Sequence, residues 1–243
     1  MNRPRGMPVM KMRWESLLFA HWRIDASLLR PLVPEALDIE TYDGSAWIGV
    51  IPFTMSGVRA SFLPPIPGTH SFHELNVRTY VRPPGAPEHD AGVWFFSLDA
   101  ASRLAVRGAR LTFGLPYYDA GMRLDRRENE VRYTSRRTHR GAVDAEFEAV
   151  WTEGNPLPRT SPGSLEHFLT ERYCLYALRR GMLCRGRIVH EPWPLRSAEV
   201  SMWRSTMVKA IGVAEPDEFA QAHLLCADAL RVEAMAPKRV KRS

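Results

Sequence analysis

This chain predicts an α+β, predominantly β protein built as a closed or two-layer antiparallel sheet, and three observations predict it. Many short segments alternate apolar and polar residues with a period of two. Turn signals separate them, and only a few short stretches carry helix caps. The composition agrees: 243 residues with 45% hydrophobic and 25% charged side chains is ordinary globular usage, at a length that β-barrels reach as one unit. The expected organisation is a basic N-terminal tail over residues 1–10, a single β domain over 11–236 and a basic C-terminal tail over 237–243.

The elements follow in order. Asp25–Leu32 reads as a helix with an Asp N-cap, ending before Val33-Pro34. Leu37–Tyr42 and Ser45–Phe53 flank Asp43-Gly44, the two-residue turn of a tight hairpin; the second arm is apolar on both faces and reads as a strand covered on both sides. In Glu74–Arg82, Glu74, Asn76, Arg78, Tyr80 and Arg82 share one strand face against Leu75, Val77, Thr79 and Val81. Val93–Leu98 reads as a core strand. Ser102–Phe113 reads as a helix capped by Ser102, with Leu104, Gly108 and Leu111 on one stripe. Met122–Leu124 and Val131–Ser135 form a second hairpin. Along Asp144–Trp151 the acids Asp144, Glu146 and Glu148 are placed to pair across strands with Arg132 and Arg136. Short helices are expected at Ser164–Leu169 and Pro216–His223, with apolar segments at Tyr173–Leu178, Gly186–His190, Glu199–Met207 and Leu224–Ala234. The low-complexity pieces are Leu63-Pro-Pro-Ile-Pro-Gly68 and the basic tail.

The net charge of +6 sits at the ends: Arg3, Arg5, Lys238, Arg239, Lys241 and Arg242 carry it, leaving a neutral body. That weakens a nucleic-acid reading, which would need a basic stripe on the folded surface, and no nucleic-acid partner is expected. Arginine outnumbers lysine 29 to 4, so chemistry that needs a buried amine has only Lys11 and Lys209 to draw on. Three cysteines, Cys174, Cys184 and Cys226, form no CxxC pair and suit a reducing compartment as buried fillers. Lys11, Arg13 and Glu15 interrupt the apolar runs near the N-terminus, and no stretch of about 18 apolar residues occurs, so a cytoplasmic protein with no membrane partner is expected.

The fingerprints GxGxxG, GxxxxGK[ST], HExxH and GxSxG are missing, and no cofactor is expected. His70 and His73 lie three apart, which on a strand sends them to opposite faces, so no metal site is expected. The face bearing Glu74, Asn76 and Arg78 has two readings. On an open sheet it is the solvated side; in a closed barrel it lines a lumen, with Glu74 and Arg78 about 13 Å apart along the strand, suited to the two ends of a small ligand.

The run from His21-Trp22 through Leu29, Val33-Pro34, Asp43-Gly44 and Ala46-Trp47 to Val50-Ile-Pro-Phe53, with Glu74–Val81, Trp94–Ala100, Gly108-Ala-Arg110, Gly114-Leu-Pro-Tyr-Tyr118, Thr170–Tyr176 and Pro192-Trp-Pro194, resembles the YqjF-like family of uncharacterised bacterial proteins along almost the whole chain. That family resembles, more distantly, the acetoacetate decarboxylase-like superfamily, which implies a closed or cone-like antiparallel β-barrel around a ligand cavity, with a few peripheral helices. In that superfamily the decarboxylases carry a Gly-x-Pro-Lys turn whose lysine forms a Schiff base, assisted by a glutamate. Gly114-Leu115-Pro116 matches the turn, but Tyr117 and Tyr118 follow it, and Glu74 corresponds to the glutamate.

On these readings the expected pocket holds Glu74 as proton carrier and Tyr117 as oxyanion donor. Asn76, Arg78, Tyr118 and His21 are the expected ligand-binding residues, with Arg78 on a carboxylate. The expected function is lysine-independent acid/base chemistry on a small carbonyl or carboxylate compound; the rival is a non-catalytic ligand-binding or sensing domain on the same fold. Catalysis asks for a buried Glu74 with a raised pKa. The oligomeric state is left open, a homo-oligomer included.

Overall fold

A computed structural model describes residues 6–61, 70–216 and 221–240. Arg3, Arg5, Lys241, Arg242 and the Leu63–Gly68 piece lie outside the described residues, as does half of the helix expected over Pro216–His223; its last residue, His223, instead opens a strand.

The strands are β1 (Met10–Glu15), β2 (Leu17–Ile24), β3 (Asp38–Ile39), β4 (Ala46–Ala60), β5 (Phe72–Arg82), β6 (Gly92–Ala100), β7 (Tyr117–Arg127) and β8 (Glu130–Arg137). They continue as β9 (Glu146–Pro156), β10 (Cys174–Arg179), β11 (Met182–Val189), β12 (Leu195–Ser205), β13 (His223–Ala227), β14 (Leu230–Ala234) and β15 (Lys238–Arg239). All join one ring-like sheet. Two circuits of paired strands close within it. One runs β1, β14, β11, β10, β6, β5, β4 and back to β1; the other runs β6, β7, β8, β9, β12, β13, β2, β4, β5 and back to β6. Strands β4, β5 and β6 belong to both.

That sharing explains why β4 and β5 are buried on both faces. Side chains alternate along a strand, so each shared strand serves two interiors. Leu18, Ala20, Trp22, Ile48, Val50, Leu75 and Val77 face one apolar core with Tyr133, Phe147 and Trp151. Their alternates Leu17, Phe19, Ile51, Phe53 and Met55 face another core with Trp193 and Val232.

The helices are α1 (Ala26–Leu29), α2 (Arg103–Phe113) and α3 (Leu165–Thr170). The expected caps hold, Asp25 accepting from Ser27 N and Ser102 from Ala105 N, and Ser164 likewise caps α3 by accepting from His167 N. Cross-strand pairs also form as the alternation requires, Arg136 with Glu146 at 3.2 Å and Arg132 with Glu148.

Three expectations are corrected. The Asp43-Gly44 turn forms, with positive φ at both residues and a Tyr42–Ser45 bridge, but the preceding arm leaves it at once: Asp38–Ile39 pairs with β5, because β4 is already flanked by β2 and β5. The sheet is not wholly antiparallel, since β6 runs parallel to both β7 and β10; α2 is the crossover that parallel β6–β7 pairing demands. The stripe of α2 lies on the other side. Leu104 and Leu111 are 61% and 77% exposed, and Val106, with Ala109 and Phe113, packs inward.

Candidate functional site

The polar face of β5 is buried. Glu74 is 2% exposed and Asn76 4%, and Arg78 is partly covered. Beside them on β4 stand Phe53, Ile51 and Gly49, and on β6 Ala100, Leu98 and Phe95, where the register shifts after Val77. A carboxyl, an amide and a guanidinium therefore form a column between apolar walls, and this face is not the solvated side of an open sheet.

The turn after α2 delivers Tyr117 to that column. Gly114 caps the helix at φ 69°, and a β-carbon there would stand 2.9 Å from the Leu178 carbonyl, so the turn needs glycine. Tyr117 then enters β7 beside Leu98, which itself pairs with Asn76. Its hydroxyl donates to Glu74 Oε2 at 2.9 Å. Burial pushes the Glu74 carboxyl up to about 8, aided by Asp99 and opposed by the Tyr117 hydrogen bond. The Tyr117 phenol is held well above its ordinary value by burial and by Glu74. At neutral pH the pair is thus a protonated carboxyl and a neutral phenol, with Oε2 engaged by tyrosine and the acid proton left to Oε1. From the other core the Tyr133 hydroxyl donates its one proton to the Glu74 carbonyl at 2.9 Å, with the Phe53 carbonyl 3.2 Å away, against the backbone beneath the acid.

At the other end of the column His21, Arg78 and Tyr80 meet. His21 and Arg78 are each in register with Gly49, between them. The His21 ring lies across the glycine, where a β-carbon would stand 2.8 Å from Cδ2. His21 Nε2 is 2.6 Å from the Tyr80 hydroxyl, which donates to the Leu169 carbonyl at 2.9 Å; Arg78 donates to the same carbonyl at 3.1 Å. Helix α3 thus ends on this site. Its last carbonyls, which a helix leaves unpaired, are taken by Arg172 on Phe168, by Tyr80 and Arg78 on Leu169, and by the Trp193 indole on Thr170. Burial, then Arg78 and His223, lower the His21 pKa well below its ordinary value.

Three buried atoms on this face have no hydrogen-bond partner among the described residues: His21 Nδ1, Asn76 Oδ1 and Arg78 Nε. Two cavities stand out, and neither is lined by the column. One of about 980 Å³ lies at the rim of the other core beside Trp22, Ser135, Phe147 and Trp203; one of about 640 Å³ lies by Ser27, Arg30 and Glu35.

The structure brings Glu74, Asn76, Arg78, His21 and Tyr117 to one interior and leaves Tyr118 out. Alternation along β7 turns Tyr118 to the other face, where its ring lies 4.2 Å from the Arg137 guanidinium and edge-on to His139. Tyr80 and Gly49 escaped the sequence reading as site residues. Tyr80 shares the parity of Arg78, and a glycine inside an apolar strand signals close approach; those were the available signals. Lys11 is ion-paired with Glu233 at 3.5 Å and Lys209 is exposed, so neither amine reaches the column. The three cysteines are buried, and burial raises the Cys174 and Cys226 thiols, the latter to about 12. His73 bonds Thr54 at 2.9 Å, and no metal-ligand cluster is found among the described residues. No helix among them is long and apolar enough to cross a membrane.

The chain is 42% identical over 214 residues to the uncharacterized protein YqjF of Bacillus subtilis (strain 168), covering 88% of this chain and 86% of that protein. Among solved structures it is similar to the enduracididine biosynthesis enzyme MppR complexed with the condensation product of pyruvate and imidazole 4-carboxaldehyde. The TM-score is 0.68 at 11% identity, over 96% of this chain and 90% of that one. It is also similar to acetoacetate decarboxylase from Legionella pneumophila subsp. pneumophila str. Philadelphia 1, with TM-score 0.61 at 13% identity over 99% and 92%. An acetoacetate decarboxylase-like enzyme from Sphingomonas wittichii RW1 matches with TM-score 0.59 at 13% identity over 98% and 95%. At such identities these likenesses show the fold, which is acetoacetate decarboxylase-like. The DUF2071 family model, described as an uncharacterized conserved protein, matches residues 11–231. The chain therefore belongs to the DUF2071 family, and its fold is acetoacetate decarboxylase-like.

Proposed function

We propose that this chain binds a small carbonyl or carboxylate compound on the Glu74–Asn76–Arg78 column and performs acid/base chemistry on it without a lysine. The observation that carries this reading is the buried Glu74 carboxyl, raised to about 8 and hydrogen-bonded to Tyr117, in a column with three unpartnered polar atoms. A carboxyl poised near neutral pH is matched to moving protons at the operating pH. An unmet buried polar atom costs about 1–3 kcal/mol, which a polar ligand would recover. Arg78 receives the ligand's anionic end, exchanging its contact with the Leu169 carbonyl for a charge-assisted one. Glu74 delivers or accepts the proton from Oε1. Tyr117 holds Glu74 in place and turns its hydroxyl toward an oxyanion as one develops.

The Gly114-Leu-Pro turn ends in a phenol that cannot form an imine, so the proposed chemistry is non-covalent and needs no cofactor or metal. The MppR structure is a complex with a condensation product of pyruvate, which agrees in kind with a small carboxylate ligand here. A passive ligand-binding domain would tolerate a solvated or ion-paired carboxylate, and the burial of Glu74 favours the catalytic reading over it.

The test is a thermal-shift screen of small carboxylates and carbonyl compounds on wild type, Glu74→Gln and Arg78→Met, with hits followed by NMR for product. Ligands that raise the melting temperature of wild type and lose that effect in both variants, with turnover lost in Glu74→Gln, are expected. Hits that stabilise all three proteins equally would place the site elsewhere.

A further inference from the structure

We infer that the ligand of this column is a hydroxy acid, a small carboxylate whose own hydroxyls donate to His21 Nδ1 and Asn76 Oδ1. The inference rests on the reading of the column as a ligand site and narrows it.

The Tyr80 hydroxyl has one proton and two acceptors within reach, the Leu169 carbonyl at 2.9 Å and His21 Nε2 at 2.6 Å, and it is assigned to the carbonyl, on which the helix end converges. The 2.6 Å contact between that oxygen and His21 Nε2 is therefore made by the imidazole, with Nε2–H donating. Enclosed beside Arg78 and His223, the ring is neutral, so its single proton is on Nε2 and Nδ1 carries a lone pair. Nδ1 is buried and no described residue donates to it; Asn76 Oδ1, on the same interior, is a second acceptor in the same position. Arg78 Nε is a donor without an acceptor.

What is unmet at the His21 end is therefore two acceptors and one cationic donor. A keto acid offers acceptors only. Its carboxylate would satisfy Arg78, but its ketone oxygen would set a lone pair against those of His21 and Asn76. A hydroxyl placed a short chain from a carboxylate gives both signs at once, and Arg78 and Asn76, two residues apart on one strand face, stand roughly 7 Å from each other. The neutral Glu74 carboxyl, further along, tolerates a second hydroxyl without adding repulsion toward the ligand's charge. Gly49 keeps the His21 ring lying across β4 toward Arg78, so the acceptor and the cation belong to one recognition surface.

The probes are matched pairs that differ in oxidation level alone: lactate against pyruvate, and 3-hydroxybutyrate against acetoacetate, each titrated calorimetrically into wild type, His21→Phe, Asn76→Leu and Asn76→Asp. The hydroxy member of each pair is expected to bind wild type roughly tenfold more tightly, the worth of one buried acceptor left unmet. In His21→Phe and Asn76→Leu that ratio falls toward one, while Asn76→Asp, which keeps an acceptor, retains it. Keto acids binding as well as or better than their hydroxy partners would overturn this inference and leave the column standing as a site. No binding of either class to wild type, with no difference between wild type and Glu74→Gln across the wider screen, would remove the site and the inference together.

Discussion

Gly49 and His21 face each other across β4 and β2, and the β-carbon that Gly49 lacks would stand 2.8 Å from His21 Cδ2 and 2.8 Å from Ile51 Cδ1. The imidazole occupies the space of a missing methyl group. Gly49→Ala is expected to destabilise the protein by about 1–3 kcal/mol through overpacking. In a His21→Ala background the cost should shrink without vanishing, because the Ile51 contact persists. Urea denaturation of the four proteins of that double-mutant cycle measures the coupling.

Glu74 sets a stability profile opposite to that of an ordinary salt-bridged acid. Its folded-state pKa of about 8 lies above the ordinary 4.5, so the folded protein holds the proton after the unfolded chain has released it. The contribution is fully present below about pH 4.5 and is lost as pH rises through about 8. Urea midpoints should therefore fall over that range in wild type. In Glu74→Gln, which keeps the shape and cannot ionise, the decline due to this group should disappear; an unchanged slope would show that Glu74 titrates normally.

Tyr117→Phe removes the hydrogen bond that favours the ionised form of Glu74. The upper end of the same profile should move to higher pH, while Tyr118→Phe, on the other face of β7, leaves it in place. Comparing the two profiles separates the hydroxyl of the site from its sequence neighbour.

Asp99 and Arg137 form an ion pair at 2.7 Å with both side chains almost fully buried. Removing one partner leaves a buried charge, and Arg137→Met should cost about 3–5 kcal/mol. The exposed Arg136–Glu146 pair should contribute no more than about 1 kcal/mol. Chemical denaturation of Arg137→Met and Arg136→Met tests the contrast.

Borohydride reduction in the presence of pyruvate or acetoacetate should leave wild type unmodified by mass spectrometry. Lys11 is 43% exposed at its side chain and paired with Glu233, and Lys209 sits on an exposed turn. A reduced adduct on either lysine would restore imine chemistry to this chain.

Much of this was legible in the sequence where local chemistry decides. The alternation of Glu74–Arg82, the caps Asp25 and Ser102, and the acids opposite Arg132 and Arg136 all depend on neighbours a few residues away or on the period of a strand. What was not legible depends on tertiary context. In α2 the apolar residues offer two stripes, Leu104 with Leu111 or Val106 with Ala109 and Phe113, and only the sheet beneath chooses the second. Asp38–Ile39 was read as the partner of the next strand, yet β4 already had neighbours on both edges. Tyr118 was grouped with Tyr117 by adjacency, although adjacency on a strand is what separates them. At the site itself, Glu74, Asn76, Arg78 and Tyr80 were visible as one strand face, whereas the part Tyr80 plays there, and the meaning of Gly49, required knowing what lay across from them.

Strand β5 is shared by both circuits of the sheet, and this has a consequence for how the protein can change over generations. Leu75 and Val77 fill one interior while Glu74, Asn76 and Arg78 occupy the other. Inserting or deleting a single residue would exchange the two sets, driving charges into the apolar core and methyl groups into the polar column at one stroke. Descendants of this sequence can therefore remodel the column by replacing side chains, whereas any change of length along β5 meets two vetoes at once.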